Sequence, residues 1–150
     1  MKVAFLEQKT IEEAKKIDSL FSGLNKSGVK RGKMAEAFAS RYRGGCKIVS
    51  SYHKTVVITA TLAIGFCASD EIRRQKEVQK RIGQNYVPTH YWGKNAMVQS
   101  RCDLDAVNKK EWMETKAMAR SRGVVDIHKG NLGKIGDKVF IFDGKTSRNK

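Results

Sequence analysis

Thr55–Ser69, TVVITATLAIGFCAS, is the longest stretch of the chain without a charge, closed by Lys54 on one side and Asp70 on the other. In so basic a chain this stretch is the expected centre of the core. Its 15 residues, rich in Thr, Ala and Gly, fall short of the roughly 20 apolar residues of a membrane span. The even positions Val56, Ile58, Ala60, Leu62, Ile64 and Phe66 are apolar, and Thr55, Thr59 and Thr61 stand among the odd ones. That alternation, with β-branched residues crowded into the first half, predicts a strand over Thr55–Leu62. The second half is open between buried strand and the start of a helix running past Ser69, with Gly65 counting against the helix.

Working outward, 150 residues with ordinary apolar content and one proline describe a single domain with one core. Met1–Glu7 meets a charge too soon for a secretory signal. Three cysteines, Cys46, Cys67 and Cys102, lack CxxC spacing and read as free thiols of a cytoplasmic protein. The charge is the strongest signal. Thirty Lys and Arg against 15 Asp and Glu give +15, an excess that points to an anionic partner, most often nucleic acid. An acidic protein or a large assembly is the alternative. No helix joins a broad, bulky apolar face to a basic one, so a membrane surface is not expected.

Before the central stretch, Lys2–Glu7 reads as a short strand. Thr10-Ile11-Glu12-Glu13 matches a capping box, and Ala14, Ile17, Leu20, Phe21 and Leu24 follow at helical spacing, predicting a helix over Ile11–Phe21 that stops near Gly23. Asn25–Gly32 is a basic linker. Lys33–Arg43 predicts a second helix with Met34, Ala35, Phe38 and Tyr42 on one side, ended by Gly44-Gly45. Between Asn25 and Lys54 stand eight basic residues and one acid, Glu36. Cys46–Tyr52 and Thr55–Leu62 are expected as neighbouring strands with a turn at His53-Lys54.

After it, Ser69-Asp70-Glu71 opens a third helix with Ser69 as cap. Ile72, Val78 and Ile82 form its thin apolar stripe, and Gly83 ends it. Tyr86–Gly93 is an aromatic loop or irregular strand, because Pro88 is incompatible with a regular central strand. Leu104–Arg122 predicts one long helix, capped by Asp103 and stopped at Gly123, with Leu104, Val107, Trp112, Thr115 and Met118 on the core side and Lys109, Lys116 and Arg120 opposite. Val124–His128 reads as a strand, Lys129–Lys134 (KGNLGK) as a turn, Lys138–Asp143 as a strand, and Gly144–Lys150 as a frayed tail. The expected class is therefore α+β: one domain, a small, mostly antiparallel sheet, about four helices, and a C-terminal helix followed by a β-hairpin.

Two basic surfaces are the candidate sites. The C-terminal order of basic helix, strand, glycine loop and strand is similar to that of winged-helix DNA-binding domains, where a helix enters the major groove and the hairpin touches the backbone. The upstream helices are not spaced like a compact helix-turn-helix. On this surface Lys109, Lys116 and Arg120 would neutralise phosphates or reach base edges, and Lys129, Lys134 and Lys138 would follow adjacent phosphates. The second surface gathers Lys26, Lys30, Arg31, Lys33, Arg41, Arg43 and Lys47. Ser27–Met34 lacks the Gly-Lys-Ser/Thr ending of a P-loop. It faintly resembles the pyrophosphate loop of the GNAT acetyltransferases, Arg/Gln-x-x-Gly-x-Gly/Ala before a helix; here Arg31 is followed at once by Gly32, and a helix stands where a strand is expected. His53-Lys54-Thr55 fits the His-x-Thr of two-histidine phosphoesterases, but neither His90 nor His128 begins a second copy. Glu114-Thr115-Lys116 has the Glu-x-Lys of many nucleases, on a helix rather than the strand that would aim both side chains at a metal. No His or Cys pair has zinc-ligand spacing. Tyr42, Tyr86, Tyr91 and Trp92 lie near positive charge, where exposed aromatics stack on unpaired bases. The sequence thus points to a non-catalytic nucleic-acid-binding accessory or regulatory protein without a cofactor. An enzyme on a phosphate-bearing substrate, a nuclease or acyl-CoA-dependent transferase, is the rival, beside a module docking on an acidic protein.

Overall fold

The computed structural model describes residues 5–22, 30–51 and 53–147. Among the described residues the expected class is the one observed: four α-helices, a five-stranded antiparallel sheet and two-stranded pieces after the last helix. Contacts gather into two units, one of Met1–Ile72 with Thr89–Arg101, the other of Arg73–Pro88 with Cys102–Lys150.

In the first unit, helices α1 (Phe5–Ser22) and α2 (Arg31–Arg41) precede strands β1 (Lys47–Ser50), β2 (Lys54–Ile58) and β3 (Leu62–Cys67). Strands β4 (Thr89–Trp92) and β5 (Ala96–Ser100) complete the sheet in the order β1-β2-β3-β5-β4. Both helices cover one face. Ile11, Ala14 and Ile17 of α1 and Met34, Ala35 and Phe38 of α2 pack on Val57, Leu62, Ile64, Phe66, Ala96 and Val98. The second face carries a smaller cluster of Cys67, Ile72 and Met97 against Trp92.

The uncharged stretch is core, but as a hairpin rather than one strand. Thr59 N donates to Leu62 O at 2.9 Å, so Ala60-Thr61 is a two-residue turn. Such a turn pairs odd positions with even ones, as in Val57↔Ile64 and Thr55↔Phe66. The buried face therefore falls on Thr55 and Val57 before the turn and on Leu62, Ile64 and Phe66 after it. Unbroken alternation in the sequence hides this switch. Arg101 fastens the turn by donating from Nη1 to Thr59 O at 2.8 Å.

Other boundaries move for identifiable reasons. The strand expected over Lys2–Glu7 is helix from Phe5 on. Thr10 is no cap: its hydroxyl donates to Leu6 O at 2.9 Å, one turn back within α1. The stop near Gly23 and the linker from Asn25 to Val29 lie outside the described residues. Helix α2 keeps its expected apolar side, with Tyr42 stacked on Phe38 at 5.8 Å between ring centroids. β4 begins directly after Pro88 and lies at the sheet edge, where a missing amide is tolerated.

Helix α3 (Ser69–Ile82) ends at Gly83, whose φ is +69°. Ser69 is not its cap; its hydroxyl donates to Lys94 O at 3.0 Å, while Ala68 O accepts the Glu71 and Ile72 amides. Gly93, Lys94 and Asn95 turn between β4 and β5 against the buried carboxylate of Asp18, which accepts from Tyr91 OH at 2.6 Å, Lys94 N at 3.0 Å and Asn95 N at 2.8 Å. A Cβ on Gly93 would strike that carboxylate, so only glycine fits.

In the second unit the long helix expected over Leu104–Arg122 is broken. A 3₁₀ turn, Leu104–Ala106, is capped by Asp103, and α4 (Lys109–Ser121) starts anew with Asn108 and Glu111 in a capping box. Val124–His128 is not one strand. β6 (Val124–Val125) pairs with β9 (Lys145–Thr146), and Asp126, at φ 65°, turns the chain away. KGNLGK is not the hairpin turn either: β7 (Leu132–Ile135) starts inside it and joins β8 (Lys138–Ile141) through Gly136-Asp137, where Gly136 has φ +63°. The tail from Gly144 is built in as far as Ser147, whose amide donates to Gly123 O at 2.7 Å, and Gly144 is buried beside Val124 and Ile127.

Candidate nucleic-acid interface

The structure sorts the thirteen lysines and arginines proposed from sequence by what each touches. Lys26 lies outside the described residues. Lys30 and Lys33 are exposed at the start of α2 and Arg31 is half-buried there. Arg43 and Lys47 are exposed past its other end. An 11-residue helix separates the two groups by about 16 Å. Arg41 is partly neutralised, its Nη1 lying 3.2 Å from Glu13 Oε2.

In the second unit Lys109, Arg120 and Lys129 are exposed. Lys116 leans back along α4 with its ammonium 5.3 Å from the Trp112 ring centroid, and Lys138 sits 5.1 Å from that of Phe140. Lys134 is committed. Its Nζ lies 2.7 Å from Glu111 Oε2, and Glu111 also accepts the Asn108 amide in the helix cap. That amide and then Lys134 hold the Glu111 carboxyl below its ordinary range. Lys134 thus ties β7 to the start of α4.

Sequence reasoning named no site residue on α3. Arg73, Lys76 and Lys80 stand at i, i+3 and i+7 on its exposed face, opposite buried Gln75, Val78 and Ile82. The signal was present as the basic complement of the thin apolar stripe. Helices α3 and α4 are joined at their C-termini by an exchange of arginines. Arg122 Nη1 donates to Ile82 O at 2.6 Å, and Arg81 Nη1 donates to Gly123 O at 2.8 Å. Arg122 satisfies the last carbonyl of α3, Arg81 bonds the carbonyl just past the end of α4, and each places positive charge where the helix dipole favours it. Gly123 serves this joint twice. It takes φ +77°, and a Cβ there would meet Arg81 Nη1 at 2.6 Å.

The polar interior of this unit centres on Gln75, fully buried. Its Nε2 donates to Asp143 Oδ1 at 2.7 Å and Gly144 O at 3.2 Å, and its Oε1 accepts from Tyr86 OH at 3.2 Å. Tyr86 is therefore interior packing, not a stacking platform. Tyr91 is likewise engaged, by Asp18; burial first, then that hydrogen bond, pushes its hydroxyl well above the ordinary tyrosine value.

Titratable groups elsewhere are also structurally engaged. His90 Nε2 lies 2.8 Å from Ser100 Oγ across the irregular register of β4 and β5, and burial lowers its pKa. Burial, then Asp103, raises the Cys102 thiol to about 11. The three cysteines are free. Among the described residues no group of three His, Cys, Asp or Glu gathers to hold a metal ion, and no helix is long and apolar enough to cross a membrane. No family model matches the chain, and no curated protein matches it either.

Proposed function

We propose that this is a cytoplasmic nucleic-acid-binding protein, an accessory or regulatory factor that neutralises phosphates and carries out no chemistry of its own. The observation that supports this reading is the pair of basic helix faces in the second unit. Lys76 and Lys80 of α3 and Lys109, Lys110 and Arg120 of α4 are exposed and make no ion pair among the described residues. The arginine exchange holds the two helix ends together, so these cations stand on joined helices. Cations borne on an already ordered backbone release counterions from a polyanion without the cost of ordering that backbone. Lys129 adds an exposed charge beside the hairpin, whereas Lys134 supports the scaffold.

The test is charge reversal. Changing Lys76, Lys80, Lys109 and Arg120 to Glu is expected to weaken binding to DNA or RNA by more than about a hundredfold while shifting the melting temperature little, since exposed cations contribute little to folding. Undiminished binding by the reversed protein would remove these helices from the interface.

A further inference from the structure

We infer that strand β1 is a docking edge for an acidic, extended segment of a partner protein, which adds to the sheet as a sixth strand. β1 ends the five-stranded sheet, and all four of its residues are exposed. Its two apolar side chains, Ile48 and Val49, are 44% and 43% exposed. They point to opposite faces, so an added strand would cover both with alternate side chains.

The backbone is oriented to receive it. Ser51 N donates to Lys54 O at 2.8 Å. Antiparallel pairing alternates from that point, so Val49 and Lys47 bond toward β2, and the amides and carbonyls of Ile48 and Ser50 face the open edge. The close approach of Ser50 Oγ to Thr55 Oγ1, 3.4 Å, fits a non-hydrogen-bonded pair at that register. The opposite edge differs: β4 follows Pro88, has an irregular register, and its residues are half-buried.

Charge selects the occupant. From Ala37 to Ser69 the chain has no acidic residue, while Arg43 and Lys47 lie exposed around β1. Lysine at an edge strand repels a second copy, as does the net charge of +15. The same lysine attracts a strand flanked by Asp and Glu. This edge lies in the first unit and does not rest on the nucleic-acid reading of the second.

The probe is a labelled peptide of alternating valine and threonine with Asp and Glu at both ends, titrated into the full chain and followed by amide hydrogen exchange. Binding is expected to slow exchange of the Ile48 and Ser50 amides and not that of Thr89–Trp92. The same peptide with Lys at its ends is expected not to bind. Ile48→Pro removes an outward amide together with one of the two apolar side chains the strand would cover, and is expected to reduce peptide affinity at least about tenfold, the weight of one backbone hydrogen bond and its register. Lys47→Glu leaves the backbone intact and should weaken the acidic peptide and favour the basic one. The proposal is overturned if the acidic peptide leaves Ile48 and Ser50 exchange unchanged. It is equally overturned if these amides become protected with protein concentration alone, which would make the occupant a second copy, or by an oligonucleotide and not the peptide.

Discussion

Phe38, Phe66, Ile17 and Met34 are the largest of the fully buried side chains in the first unit, whereas the second buries Ile82, Leu132, Ile141 and, in their company, Gln75. The first unit is held mainly by apolar contact between two helices and one sheet face, with a buried polar centre at Asp18. The second, built from short strands and two basic helices, adds specific polar bonds: Gln75 to the tail and Tyr86, Arg81 and Arg122 between helix ends, Glu111 to Lys134. Charge content alone therefore does not mark a surface. In the second unit several cations serve the fold, and only those left over are available to a polyanion.

This contrast can be broken by mutation, beginning where the effect is largest. Phe38→Ala, in the fully buried core against Phe66, is expected to cost about 4 kcal/mol in chemical denaturation. A cost below about 1 kcal/mol would mean that the first unit is not held by this packing.

Asp18→Asn follows, at about 3 kcal/mol, because the part-buried amide of Lys94 and the buried amide of Asn95 would face an amide group instead of a carboxylate. The Asp18–Tyr91 pair has a pH signature. Tyrosine ionises near 10.0 in the unfolded chain and only at higher pH in the folded one. Unfolded protein therefore releases the proton first, and stability is lost as pH rises past 10.0. Asp18→Asn should reduce that alkaline loss.

In the second unit, Gln75→Leu is expected to cost about 2 kcal/mol by removing the bonds of its amide to Tyr86 OH, Asp143 and Gly144. A neutral or stabilising result would show that polar bonding there is dispensable. Smallest are Arg81→Ala and Arg122→Ala, about 1 kcal/mol each for a hydrogen bond to a backbone carbonyl at or just past a helix end. Measured together in a double-mutant cycle they should couple, since both bonds close the same joint.

Much of the helical framework was legible in the sequence. Met34, Ala35 and Phe38 fixed α2; Ile72, Val78 and Ile82 fixed α3; Gly83 and Gly123 stopped their helices at positive φ. The strand pairing was not. Nothing in TVVITATLAIG distinguishes Ala60-Thr61 as a turn, because its small residues continue the alternation. Asn108 was overlooked because helical spacing runs through it, although Asn108 with Glu111 satisfies the capping pattern. The C-terminal pairing depends on positive φ at Asp126 and Gly136, and KGNLGK offered glycines in the wrong place. As for the candidate site, the excess of positive charge was plain, but Lys134 could be separated from Lys109 only once Glu111 was seen beside it.

Salt dependence of binding tests the central claim most directly. Affinity for duplex and single-stranded DNA and for RNA, measured between about 50 and 200 mM salt, should fall with a log–log slope near −4, the release expected from about five phosphate contacts. The slope should flatten by about one unit for each of Lys76, Lys80, Lys109 and Arg120 removed. Absence of binding to all three polymers at about 50 mM salt, or a slope that these substitutions leave unchanged, would contradict the account.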